Sequence, residues 1–235
     1  MLRLLDELDT ASDTGVSVYL PRGIPTSEVE KTLGVVLKQE PALPDIASEI
    51  SKSTTGAALF WGEQHRYLIV PPLPIKENLI MQGYDIDVLR IIMSQELTIA
   101  LVLVRLGAYA IGIFQNDKLS ASKIGTGLVH SRHKKGGSSA HRFERHRDKQ
   151  IELFFTRVCI HVREIVEPYL TQVDYLYYGG ENFTIRSFRE QCRYLKKLDS
   201  RAMESLLNIR ELKQASLEAA IAEAWSSKVI QWQQD

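Results

Sequence analysis

Hydrophobic positions change their period several times along this chain, and each change marks an element. Val16 to Leu20 (VSVYL) alternates as a strand does and stops at Pro21. Ser27 to Leu37 takes up helical spacing, with Ser27 as the expected N-cap and Glu30 three residues on. Ala57 to Trp61 and Tyr67 to Val70 flank Gly-Glu-Gln-His and end at Pro71 and Pro72, which predicts a hairpin. Ile86 to Met93 reads as a helix linking this small α/β unit to the remainder of the chain. From Leu97 the texture becomes a meander: LTIALVLVRL, AYAIGIFQ and KLSASKIGTGLV are strand-like, separated by Gly107 and by Asn116-Asp117. Such short connections make antiparallel neighbours. The first run is apolar on both faces, which predicts a central strand.

From about Ser139 a long helix is expected, with Ile151, Phe154, Phe155, Val158, Val162, Ile165 and Tyr169 as its apolar stripe. Tyr175 to Tyr178 is a buried strand meeting Gly179-Gly180. A helix over Phe183 to Leu198, a short strand at Leu206 to Ile209 and a last helix over Leu212 to Trp225 complete the pattern. The predicted fold class is α/β: a mixed sheet with an antiparallel three-strand meander and flanking helices over 96–235, preceded by a smaller α/β unit over 1–95.

Composition changes this picture little. With 235 residues, 44% of them hydrophobic, the chain suits one large domain or two small ones. No stretch approaches the ~20 apolar residues that cross a bilayer, and the N-terminal MLRLLDELDTASD is acidic, so a cytoplasmic protein is expected. Cys159 and Cys192 lack metal-ligand spacing and lie in helix-like patterns, which predicts buried reduced thiols and no disulfide.

Charge changes it more. The chain carries 29 basic and 29 acidic side chains, yet between His130 and Lys149 there are seven Lys or Arg against Glu144 and Asp148, with four of the six histidines. The core of this patch, Arg132 to Arg147, reads RHKKGGSSAHRFERHR. Gly136 and Gly137 lack Cβ atoms, tolerate positive φ and let another backbone come close. After Ser138 or Ser139 as N-cap, Arg142, Arg145 and Lys149 fall three and four apart and share one helix face. Such a tip fits a phosphate backbone; the plain reading is a solvated, disordered surface loop.

Other chemistry is less well provided for. His130, His133, His141 and His146 have no Cys beside them, and the neighbouring lysines would repel a cation, so no metal is expected. The sheet-like runs offer only scattered acids, Asp117, Asp174 and Glu181, for a metal-dependent ribonuclease; His133 and His141 leave a metal-free ribonuclease acting on tRNA open. Ser138 and Ser139 lack the strand-turn-helix context of a G-x-S-x-G nucleophile. Tyr175, Tyr177 and Tyr178 are expected to pack in the core and on the sheet rather than to stack bases.

The same segment resembles the catalytic loop of class I eukaryotic and archaeal peptide-chain release factors, in which basic residues and Gly-Gly-Gln lead through Ser, Ala and an Arg-Phe pair into a long helix. Gly136, Gly137, Ser139, Ala140, Arg142, Phe143 and Arg145 match in order, and ASKIGTGLVHSRHKKGG before it and VDYLYYGGENF after the helix lie where that central domain would put them. The likeness runs from about Leu97 to Trp225. The N-terminal part is similar to the companion segment in bacterial relatives of the ribosome-quality-control peptidyl-tRNA hydrolases, the ankyrin-repeat and zinc-finger hydrolase among them. No room is expected for stop-codon-reading or GTPase-binding domains.

The resemblance implies a fold similar to ribonuclease H and a tip, residues 130–147, that enters the peptidyl-transferase centre of the large subunit. There Gly136, Gly137, Ser138 and Ser139 would help water attack the ester of peptidyl-tRNA, by positioning and by a backbone N–H for the oxyanion. Arg132, His133, Lys134, Lys135, Arg142, Phe143, Arg145 and Arg147 would contact tRNA and rRNA, and no cofactor is implied. One position departs from the pattern: Ser138 stands where the family has Gln, and the tip has no Gln before Gln150. Within this resemblance two functions stay open, a stop-codon-independent peptidyl-tRNA hydrolase on stalled ribosomes and a non-enzymatic ribosome- or tRNA-binding factor with a degenerate Gly-Gly-Ser tip.

Overall fold

The computed structural model describes residues 2–11, 15–38, 40–130, 140–209 and 211–233. In chain order its elements are α1 (Leu2–Thr10), β1 (Val16–Leu20), α2 (Thr26–Leu37), α3 (Leu43–Ser51), β2 (Ala57–Trp61), β3 (Arg66–Val70), β4 (Leu79–Gln82) and α4 (Asp87–Ser94). Next come β5 (Thr98–Arg105), β6 (Ala108–Gln115), β7 (Lys118–Thr126), α5 (Ala140–Val166), β8 (Val173–Gly179), α6 (Asn182–Gln191), β9 (Ala202–Leu207), α7 (Gln214–Ala224) and β10 (Lys228–Gln231). The chain forms two compact units, residues 1–95 with 225–235, and residues 96–224. Residues 225–235, which the sequence pattern puts in the second unit, join the first because β10 adds to its sheet.

The first unit is an antiparallel sheet in the order β10-β3-β2-β1-β4. Alternation sorts its faces. Val16, Val18 and Leu20 pack with Leu59, Trp61 and Leu68 against Val29 and Leu33 of α2 and Ile46 and Ile50 of α3. On the other face Tyr19 meets Phe60 edge to face, and Phe60 meets Tyr84. The expected N-cap at Ser27 is not formed: α2 starts one residue earlier behind Pro25, whose extended backbone caps it without a side chain. Pro25 suits that place because its carbonyl accepts the amides of Glu28 and Val29 and its own nitrogen needs no partner.

The second unit is a mixed sheet in the order β7-β6-β5-β8-β9, antiparallel over the meander and parallel from β5 through β8 to β9. β5 is central, flanked by partners on both edges, and every residue from Ile99 to Val104 is buried, which its two-faced apolar run predicts. Tyr177 and Tyr178 are buried too, as core residues. One face of the sheet carries Val102, Ile111, Ile113, Tyr178 and, from α5, Phe154, Phe155, Val158, Val162 and Val166; Ile185 and Phe188 of α6 close this core. The other face meets α7, whose Leu217 approaches Gly112 so closely that an added Cβ there would lie 3.1 Å from it.

Three expectations fail here. The helix predicted over Phe183 to Leu198 ends at Gln191, and the chain continues as a 3-10 turn over Arg193–Arg201. Cys192, at φ −86° and ψ 80°, breaks the α-helical ladder there. The strand predicted at Leu206 to Ile209 runs instead over β9, in parallel with β8. Cys159 and Cys192 are joined by a disulfide, with Cα atoms 5.4 Å apart. α5 and the end of α6 pack side by side over the same core, which brings together two thiols that are 33 residues apart in sequence.

Candidate functional site

Residues 131–139 lie outside the described residues, and with them the expected Arg132, His133, Lys134, Lys135, Gly136, Gly137, Ser138 and Ser139, together with the expectation of a disordered tip. The two stretches that lead into and out of this segment are described, and they touch. Past β7 the chain lies against α5: an added Cβ on Gly127 would sit 2.6 Å from the Phe154 ring, so only glycine lets the strand exit run this close to the helix. Val129 packs against the core of this unit.

His130 is held twice. Its N–H donates to the Gln150 side-chain carbonyl at 3.2 Å, and its own carbonyl accepts from Arg147 Nε at 3.0 Å. Arg147, Gln150 and Phe154 are spaced three and four apart, so one row of α5 clasps residues 127–130. Gln150, well past the tip in sequence, is one half of the clasp; its spacing from Arg147 is the signal that could have found it.

α5 extends beyond Arg147 toward Ala140 by seven residues, about 10 Å at 1.5 Å per residue. On this projecting part Arg142, Phe143, Arg145 and His146 are exposed, as is Lys149 one turn below. Glu144 lies on it and Asp148 next to Lys149, so the exposed cations of this stretch outnumber the acids. The positive end of the helix dipole falls at the same place, and the arrangement favours an anion with several charges. Arg147 is half-buried, with one nitrogen committed to His130.

Two of the three acids weighed for a nuclease are engaged structurally. Asp174 accepts the Thr98 amide, which fixes the start of β5 against β8. Glu181 sits at the N-cap of α6 and accepts from the Thr184 hydroxyl at 3.3 Å. Asp117 follows Asn116 in the tight turn between β6 and β7. Among the described residues no three His, Cys, Asp or Glu side chains converge as a metal site would require. No described helix is long and apolar enough to cross a membrane.

The family model described as "Actinobacteria/chloroflexi VLRF1 release factor" matches residues 97–230. Peptide chain release factor subunit 1 of Aeropyrum pernix is 25% identical over 196 residues, 72% of this chain and 52% of that protein. The chain thus spans about half the length of that curated relative. Among solved structures, an archaeal translation termination factor, aRF1, superposes with a TM-score of 0.46 at 19% identity over 95% of this chain and 68% of its own. Pelota of Archaeoglobus fulgidus gives 0.33 at 9% identity over 94% and 60%. Both scores are below one half.

Proposed function

Since the chain belongs to the Actinobacteria/chloroflexi VLRF1 release factor family, we propose that it hydrolyses the ester of peptidyl-tRNA on stalled ribosomes, independently of a stop codon. The observation that carries this reading is the clasp. Arg147 and Gln150 tie His130, the last described residue before the Gly136-Gly137 segment, to one row of α5, so the two described flanks of that segment and a cationic helix end lie together. A Gly-Gly pair in the sequence between these flanks and phosphate-binding cations on the helix suit a narrow site walled by RNA, which is what the peptidyl-transferase centre of the large subunit offers.

In this reading water attacks the ester carbonyl, the bond to the ribose oxygen breaks, and that oxygen takes up a proton as the peptide leaves with a free carboxylate. The Ser138 N–H donates to the developing oxyanion, and its hydroxyl orients the water. Arg142 and Arg145 contact RNA phosphates with their charge, and Phe143 adds an exposed aromatic face. The work is done in the cytoplasm, where such ribosomes are.

Ser138 in place of the Gln seen in release factors favours a second reading, a ribosome-binding factor without hydrolysis. Release of a labelled nascent peptide from purified stalled complexes separates the two. Release by the wild type that Gly137→Ala abolishes supports a hydrolase; no release by the wild type, with recovery in Ser138→Gln, supports a binding factor.

A further inference from the structure

The first unit has a cavity of about 630 Å³ that the loop does not use, lined by Glu40, Pro41, Ala42, Trp61, Arg66 and Trp232. Its aromatic wall is made of two indoles in contact, Trp61 and Trp232, with ring centres 5.8 Å apart and planes tilted by 54°. β10 places the second of them: the backbone N–H of Trp232 donates to the Arg66 carbonyl at 3.0 Å, which holds the residue beside β3. Trp61 is nearly buried, and its face is already covered by the Arg66 guanidinium at 5.0 Å. Trp232 is only half-buried and offers the wall's accessible area.

The charged groups at the rim are not fully satisfied by each other. The Arg66 and Glu40 side chains are only 23% and 16% exposed, yet their closest approach is 3.8 Å, too long for a hydrogen bond. Arg66 Nε reaches the Gly62 carbonyl at 3.4 Å, and Glu40 Oε1 accepts weakly from the Ala42 amide, also at 3.4 Å. Among the described residues, neither group makes a close hydrogen bond to a side chain, and both stay partly exposed at the rim.

We propose that this cavity binds a guanine base of single-stranded RNA, stacked on Trp232 with its Watson–Crick edge on Glu40. Guanine alone among the four bases presents two adjacent donors, N1–H and N2–H, that match a carboxylate bidentately; adenine, cytosine and uracil each present one donor on that edge. The indole supplies stacking, which is tolerant of base identity, so the preference comes from Glu40. Arg66, on the same rim, takes a phosphate oxygen or the guanine O6. The site is built without the loop and stands whether or not the tip hydrolyses esters.

The test uses the full chain and two dye-labelled pentaribonucleotides, UUGUU and UUAUU, followed by fluorescence anisotropy. Cationic contacts elsewhere bind both probes alike, so the ratio of affinities isolates the base. The expected result is a preference for UUGUU of at least about fivefold, the low end of what one bidentate base contact provides. Glu40→Gln, whose amide keeps one acceptor and gains a donor that suits adenine, should bring the ratio to one or below, with circular dichroism showing an intact fold. Equal binding of the two probes by wild type, no binding of either, or a preference that survives Glu40→Gln overturns the assignment. So does saturable binding of tetramethylammonium without a guanine preference, which would make the pocket a cage for a methylated amine.

Discussion

The Arg147 side chain and the His130 carbonyl are 3.0 Å apart, and through that bond the helix that comes after the Gly-Gly segment is tied to the chain that precedes it. Gln150 completes the tie from the next turn. The clasp needs no charge at Gln150, so it can be opened without altering the cationic surface. In Gln150→Ala the His130 amide should exchange with solvent markedly faster, while global stability falls by no more than about 1.5 kcal/mol, the net worth of one hydrogen bond. Amide exchange and a urea titration read the two effects; an unchanged His130 exchange rate would deny the clasp.

Arg142 and Arg145 are exposed on the projecting part of α5. Reversing both to Glu should abolish ribosome association at physiological salt, and neutralising each to Gln should lower the slope of log affinity against log salt by about one. Sedimentation with purified large subunits over a salt series measures both. Binding that stays unaltered would remove the helix end from the interface.

The Cys159–Cys192 crosslink closes a loop of 33 residues within the second unit. Chain-entropy arguments put its contribution at roughly 3–4 kcal/mol. Reduction, or Cys192→Ala under oxidising conditions, should lower the unfolding midpoint accordingly. Two alkylatable thiols in the unfolded, unreduced protein would show that the bond is not formed.

Gly180 comes directly after β8 at φ +130°, and an added Cβ would lie 2.2 Å from the Val104 carbonyl oxygen. Gly180→Ala must therefore move backbone, and is expected to destabilise by more than about 3 kcal/mol. Gly83, at φ +79° with nothing near its missing Cβ, is the control: Gly83→Ala pays only for conformation, about 1 kcal/mol. Similar losses in the two variants, by urea denaturation, would contradict the close approach at Gly180.

Burial pushes the Tyr178 hydroxyl from its ordinary 10.0 up to about 12, against the pull of the Arg189 guanidinium stacked over the ring. Tyr177 and Tyr19 are raised by burial as well. In each case the folded state holds its proton more tightly than the unfolded chain does. Their contribution is therefore complete below pH 10 and is lost as pH rises through the folded values. Stability should be insensitive to these groups at neutral pH and decline above about pH 10, with part of the tyrosine absorbance change at 295 nm arriving together with unfolding. Tyrosines that all titrate near 10 before unfolding would contradict this.

The meander was legible because β5, β6 and β7 each carry their own period and are joined by turns too short for any other pairing. α5 was legible because its apolar stripe, from Ile151 through Phe154, Phe155, Val158 and Val162 to Val166, keeps helical spacing over about four turns. What could not be read depends on partners distant in sequence. β10 is four residues long and mostly exposed, so only its pairing with β3 makes it a strand. The Cys159–Cys192 bond depends on how two helices cross a shared core. Within the candidate site the exposure of Arg142 and Arg145 on one helix follows from their spacing, whereas the role of Gln150 emerges only when His130 is in place; in the first unit the Trp61–Trp232 wall emerges only with β10.

That last strand also bears on the order in which the protein can assemble during synthesis. The sheet of the first unit has β10 as its outermost member, yet everything from β5 to α7 leaves the ribosome before it. At ordinary elongation rates this is a wait on the order of ten seconds or more, during which β3 presents an unpaired edge to whatever is nearby. A protein whose own proposed work is to clear stalled ribosomes thus depends on uninterrupted translation to close its first sheet.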